Sequence, residues 1–559
     1  MSKKMVLKIA AFIAITVLVL SSIMVYGSGS SAPAMMGMEG SGESARIDPN
    51  APTAGIRGPF VETFDAPVSM DIDLRDLPQT GPEEKRPSRE MGQLPTRDRN
   101  AGPDPVIQTS ETVGNRPFNE MLAAAPAPLT TFKGLDLTNW GGGWPPDTHG
   151  DVGPNHYIQA VNTSVGIFDK ATGTRLAAFT INNFFVAAGG SGACATLNYG
   201  DPIVIYDQVS GRWIVTDFAF AGSGTTPPYY ECIAVSKTAD PVSGGWWVYT
   251  VTASTTALND YPKFGIWNDG IYMSANMFTG GASYGGVKVW ALNRDDMISG
   301  AALRSVAFTL GTSYFSLLPA NLKGVAAPAG TPEYFMSDYG SNTSMKLWKF
   351  TTNWATPASS TFTGPTSFAV ASFTRPSATV VRQLGSTTRL DTLGDRLMSN
   401  LQYRNVGGTQ SLWVSRTVKV SNTSTGIRWM EVRNMSGTPS VYQQGTYAPS
   451  TAFRWMPSLA VDKFGNMAVG YSMSTSTTYP SIRYAGRLVT DAVGTLGLTE
   501  TIMFAGTGSQ TSYSRWGDYA AMTVDPVDDC TFWFTTEYYE TTGTNWQTRI
   551  GSFKFPGCP

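Results

Sequence analysis

The chain has 559 residues, with 40 Lys and Arg against 42 Asp and Glu, a formal net charge of −2. So balanced a charge excludes electrostatic capture of nucleic acid, and no nucleic-acid partner is expected. With 58 Gly, 12% aromatic and only 15% charged residues, the composition points to a turn-dense β protein and excludes a largely disordered or helical one.

At the N-terminus, Lys3, Lys4 and Lys8 precede an apolar run from Ile9 to Leu20 and then small residues through Ala34. This is the layout of a secretory signal, so residues 1–27 are read as a signal peptide, with an uncleaved membrane anchor as the alternative. The expected location is secreted or cell-surface, with the membrane touched only through that segment. Residues 28–128 are rich in Pro, Gly, Ser and mixed charge without a sustained period of 2 or 3.6, as in GSGSSAPA and PEEKRPSREMG. They are read as a flexible, disordered stalk, in which the more apolar Phe64–Leu77 is expected to dock onto the folded body.

From 129 to 559 one pattern recurs. Its clearest copy is RWMPSLAVDKFGNMAVGYS (454–472), a short apolar run, a turn at Asp462–Gly465 and a second run of β-formers. Equivalent turns fall at Asp151–Asn155, Asp207–Gly211, Asn268–Gly270, Pro328–Gly330, Asn405–Gly408 and Asp525–Asp529, a period of roughly 62 residues. The second copy shows four strands, PIVIYD, RWIVTDFA, YYECIAVSK and WWVYTVTA. Four-stranded antiparallel units at a fixed period predict an all-β, seven-bladed β-propeller, with a pair of β-sandwiches as the alternative. The last copy supplies only three strands before the chain ends, so Pro128–Leu135 (PLTTFKGL) is expected to complete it and close the ring.

All four cysteines, Cys194, Cys232, Cys530 and Cys558, lie in this body, and an even number in an exported chain favours disulfides. Cys530 opens the second strand of the last copy and Cys558 follows its third. Adjacent strands are antiparallel, which predicts Cys530–Cys558 and leaves Cys194–Cys232.

The stretches PPDTHGDVGPNHYIQAVN (145–162), GDPIVIYDQVSGRW (200–213) and RWGDYAAMTVDPVDDCTFWFTTEYY (515–539) resemble a family of exported bacterial proteins that look like seven-bladed propellers. The resemblance implies fold and export; the family brings no assigned reaction. Sialidase-like propellers are a more distant likeness: their S-x-D-x-G-x-T-W box has no full match, and the turns here run D-x-x-x-G-x-W at Asp207, Gly211 and Trp213.

In a propeller the loops entering each innermost strand meet at one mouth of the channel. Here they carry Asp147, His149, Asp151, Asp201, Asp260, Asp395, Arg396, Arg454, Trp455, Arg515, Trp516 and Asp518, the candidate ligand-binding residues. Convergence of Arg396, Arg454 and Arg515 would make a bidentate receptor for a carboxylate or sulfate; the alternative is that each braces a neighbouring loop. Trp140, Trp144, Trp455 and Trp516 could stack on sugar rings or pack blade against blade. Asp147 and Asp151 are spaced like the start of a calcium loop, although Val152 stands at its sixth position in place of Gly, and calcium is the one cofactor considered. His149 and His156, the only histidines, admit a transition metal. Hydrolysis would draw on acids such as Asp147, Glu431 and Tyr513, which no motif selects. The expected function is a binding or adhesion module for an extracellular glycan or protein, with a sialidase-like glycoside hydrolase as the alternative.

Overall fold

The computed structural model describes residues 46–85, 102–109, 123–222 and 224–558. It is all-β, and its unit of construction is an antiparallel meander of four strands. The first comprises His149–Val152, His156–Val161, Ser164–Asp169 and Arg175–Thr180. The second comprises Ile203–Asp207, Arg212–Ala221, Thr226–Ser236 and Trp246–Ser254, matching the four strands read from the sequence. Every predicted turn joins the first strand of a meander to its second. At Asp462–Gly465 the reason is visible: Asp462 Oδ1 accepts the N–H groups of Phe464 and Asn466, both at 2.9 Å, while Gly465 takes the left-handed φ of 87° that closes the loop.

The first strands of successive meanders contact one another in a cycle: His149–Val152, Ile203–Asp207, Ala257–Ile266, Leu318–Leu322, Met398–Val406, Phe453–Val461, Ala521–Val524, and back to His149–Val152. Where such neighbours splay apart, a side chain on one accepts an N–H of the next. His149 Nδ1 takes Val204 N–H at 3.2 Å, Asp151 Oδ2 takes Tyr206 N–H at 2.8 Å, and Ser458 Oγ takes Met522 N–H at 2.9 Å. At Leu318–Leu322 and Met398–Val406 the two strands pair directly, in parallel, and fuse two meanders into one sheet, which Ile107–Gln108 extends to nine strands. Apolar side chains fill the space between sheets; Trp213, Trp246, Trp267, Trp290, Trp348 and Trp429 are fully buried. Gly470 marks how closely the sheets approach, since a Cβ there would lie 2.7 Å from the Phe534 ring of the next sheet.

The last meander has three strands of its own, and Thr130–Asp136 pairs antiparallel with Gln547–Lys554 to supply the fourth, as expected. Both expected disulfides form, Cys194–Cys232 and Cys530–Cys558, with Cα–Cα separations of 5.6 and 6.0 Å.

The described parts of the segment read as a stalk are ordered against the sheets. Ile56–Phe64 pairs along Leu303–Leu310, Val68–Met70 along Trp246–Ser254, Ile107–Gln108 along Ser440–Tyr447, and Ala123–Ala124 along Leu498–Phe504. Met70 and Leu74, inside the stretch expected to dock, are buried. Each pairing covers an outer edge whose backbone groups would otherwise be open. The expected signal segment 1–27 and positions 28–45, 86–101 and 110–122 of the stalk lie outside the described residues. No helix among the described residues is long and apolar enough to cross a membrane.

Candidate functional site

The site lies where the chain enters the first strands. Asp147, Asp201, Tyr261, Ser316 and Met456 all have left-handed φ, between 45° and 55°, and in each case ladder pairing begins or resumes two residues later. A non-Gly residue in that region costs energy, least for Asp, and the neighbouring sheet holds the turn in place. Asp518 N–H donates to Asp147 Oδ1 at 2.8 Å, Asp201 N–H to Asn162 Oδ1 at 2.9 Å, Tyr261 N–H to Asp201 Oδ2 at 3.1 Å, and Ser316 N–H to Asn276 Oδ1 at 2.8 Å. The acids entering the channel therefore also clamp adjacent sheets together.

Three of them converge. One carboxylate oxygen from each of Asp147, Asp201 and Asp518 lies within 4.8 Å of the others, and all three residues are buried. Burial pushes the Asp147 carboxyl well above its usual range, with the charges of Asp518 and Asp201 adding to the effect. Burial and then Asp518 push Asp201 up to about 6. Asp260, half-buried beside them, is raised in the same way, by desolvation and then by Asp201 and Asp518. Arg515 ion-pairs with Asp518. Lys263 lies beneath, its ammonium 3.4 Å from the centre of the Tyr261 ring and 4.2 Å from that of Tyr519, and burial brings it down to about 8. Arg396 ion-pairs with Asp395 at 2.8 Å and packs on Tyr261 and Phe315.

Other expectations are corrected. The three arginines do not present three free guanidinium groups: each is paired with a different carboxylate. Arg454 pairs with Glu500 at 2.7 Å within its own sheet, and Arg483 and the Tyr471 hydroxyl also reach Glu500. Arg396 is taken by Asp395 and Arg515 by Asp518.

The proposed calcium loop does not form either. His149–Val152 is a strand, Asp147 turns to Asp201 and Asp518, and Asp151 pairs with Lys323 at 2.6 Å and accepts Thr523 Oγ1 at 2.6 Å. His149 braces Val204, and burial, then Lys263, lower it to about 3, which keeps it neutral. It is not grouped with His156 or with the acids. Trp455 and Trp516 are buried and pack on each other edge to face. Trp140 is buried under Arg175, whereas half-buried Trp144 stacks on Tyr513 at 4.6 Å. Glu431 is held by Arg433 and Gln443 in another sheet. Among the described residues the one other grouping of possible metal ligands, Asp462 with Cys530 and Cys558, is closed by the disulfide.

Among the buried acids not anticipated from the sequence are Asp217, Glu231 and Glu537. Asp217 and Glu537 each stand four residues after a tryptophan, Trp213 and Trp533, on the second strand of their meanders. Alignment of second strands as well as first strands would have shown that repeat. Both carboxyls are pushed well up by burial, and the charge of Asp147 adds to the shift of Glu537.

No protein-family model matches the chain, and no curated protein matches it in sequence. Among solved structures it is similar to a hypothetical selenium-binding protein from Sulfolobus tokodaii, at 8% identity and a TM-score of 0.37 over 64% of this chain and 77% of that one. A Hadza microbial sialidase is similar at 12% identity and a TM-score of 0.34, over 72% and 74%. A Trypanosoma rangeli sialidase in complex with the inhibitor DANA is similar at 8% and 0.31, over 64% and 58%. Likenesses of this size carry no argument about function, and the strand order above stands by itself.

Proposed function

We propose that this chain is an exported, seven-bladed β-propeller of the bacterial family its motif phrases resemble, and that its channel mouth binds an extracellular glycan or protein as an adhesion or recognition module. The observation that carries this reading is the convergence of Asp147, Asp201 and Asp518, from loops far apart in sequence, beside Asp260 and Arg515. A ring needing only closure could be sealed with apolar side chains at far lower desolvation cost. The half-buried Trp144–Tyr513 stack offers an aromatic face of the kind that packs on sugar rings. The two disulfides support an oxidising location.

A glycoside hydrolase is the second reading, favoured by one observation: Asp201, near 6, sits beside other carboxyls, the relation that separates an acid from a base in such enzymes. A glycan array probed with wild-type protein and with Asp260→Asn and Trp144→Ala tests binding, and chromogenic glycosides test turnover. Loss of a glycan signal in both variants, with melting unchanged, supports the mouth. A wild-type protein that retains no glycan and no protein ligand overturns the reading.

A further inference from the structure

We infer that Asp147, Asp201 and Asp518 together hold one divalent cation of the calcium class, with Glu537 as a further carboxylate behind Asp147. The spacing fits. Calcium–oxygen distances of about 2.3–2.6 Å set opposed ligands roughly 4.6–5.2 Å apart, and the three Asp oxygens already lie within 4.8 Å of one another. Every donor is a hard carboxylate oxygen, which disfavours copper, nickel and zinc.

Glu537 is the independent sign. It is 2% exposed, and neither carboxylate oxygen has a hydrogen-bond partner. Two residues earlier on the same face of its strand, Thr535 receives Gln159 from the neighbouring sheet, so Glu537 faces the sheet into which Asp147 leads. Asp147 is the charged group that acts on it. A carboxyl buried without a donor is satisfied by a proton or by a cation, and the oxygens gathered at Asp147, Asp201 and Asp518 favour the cation here. Thr148 Oγ1, fully buried next to Asp147, is likewise without a partner and adds a neutral oxygen.

The local charges agree. Asp147, Asp201, Asp260, Asp395, Asp518 and Glu537 are opposed by Lys263, Arg515 and Arg396, the last paired with Asp395. Lys263 donates to Pro262 O at 2.8 Å and lies against two tyrosine rings; among the described residues it forms no ion pair. The acids therefore outnumber the cations that reach them, and a divalent ion at their centre removes most of the imbalance.

The inference rests on the mouth being the working end of the protein, but not on the nature of the ligand. The test is calorimetric titration of EDTA-dialysed full-chain protein with calcium chloride, together with terbium luminescence sensitised by Trp516, two residues from Asp518. One site per chain is expected, with terbium displaced by calcium and melting raised by calcium. Asp201→Asn and Asp518→Asn should each weaken calcium at least tenfold, and Glu537→Gln roughly tenfold. Glu431→Gln, a buried acid in another sheet, should leave affinity unchanged. Absence of heat and of displaceable terbium in wild-type protein up to millimolar calcium overturns the inference even if the Asn variants fail to fold. Calcium affinity unchanged in folded Asp201→Asn and Asp518→Asn does the same. Glycan retention measured with and without EDTA separates the two proposals: binding that survives EDTA keeps the mouth and counts against the cation, whereas calcium binding without any ligand does the reverse.

Discussion

Arg454→Met separates bracing from recognition. Arg454 and Glu500 form a nearly buried pair, with side chains 2% and 11% exposed and Nε to Oε2 at 2.7 Å. Removing one member of a buried pair costs about 3–5 kcal/mol when its partner is stranded. Glu500 keeps Arg483 at 2.8 Å and the Tyr471 hydroxyl at 2.9 Å, so a loss at or below that lower limit, about 2–3 kcal/mol, is expected. Burial works against the Glu500 charge, yet the arginines and Tyr471 together hold its carboxyl below the usual 4.5. A carboxyl depressed in the folded state contributes stability that is full above its unfolded value near 4.5 and is lost as pH falls through the lower folded value. The variant should therefore lose most at neutral pH and converge on wild type in acid. Denaturant unfolding followed by tryptophan fluorescence at pH 7 and pH 3.5 measures both, and a cycle with Glu500→Gln isolates the pair. Unchanged stability at pH 7 together with lost ligand binding would refute the bracing assignment and return Arg454 to the mouth.

Two more outcomes follow from the packing. Deleting residues up to 102 removes the outer strands Ile56–Phe64 and Val68–Met70 and the burial of Met70 and Leu74, which should cost about 3–6 kcal/mol from those two side chains and promote association through the uncovered edges. Deletion through 136 also removes the closing strand and should abolish a cooperative melt; equal melting and equal monodispersity of the two truncations would count against both roles. Glu333 is fully buried, and desolvation, with Asp269 adding, raises its carboxyl well above 4.5. Its folded value exceeds its unfolded one, so its contribution is greatest below 4.5 and falls by about 1.4 kcal/mol per pH unit above that until the folded value is reached. Glu333→Gln should flatten that slope and be the more stable protein at pH 7; a slope identical to wild type sinks the assignment.

Where the sequence was legible, one local signal sufficed. A turn such as Asp462–Gly465 is fixed by its own side chains, and Cys530–Cys558 by strand direction. Ile56–Phe64 was not legible, because it carries Gly58-Pro59 and no alternation; it is a strand because Leu303–Leu310 presents an open edge. In the site, the recurring Asp positions were readable, since the backbone conformation repeats there. The arginines were not, because the carboxylate each one meets, Glu500 for Arg454, lies far away in sequence or competes with neighbours that the sequence does not rank. Glu537 escaped notice because a lone acid in an aromatic strand, TFWFTTEYY, carries no local signal of what it faces.

The bracing and binding readings of the acids need not compete. Asp147 belongs to the first sheet, yet its Oδ1 holds the N–H of Asp518 in the last, across the joint that Thr130–Asp136 also closes. Asp201 makes the same kind of clamp onward to Tyr261. A hydrogen bond to one lone pair leaves a carboxylate able to ligate with another, so a cation shared by Asp147, Asp201 and Asp518 would span the first, second and last sheets and draw the joint together. Ion binding and ring closure would then be linked by mass action, each favouring the other. The left-handed turns at Asp147 and Asp201 are costly as isolated conformations, and a cation that rewards their geometry supplies a physical reason for their charge.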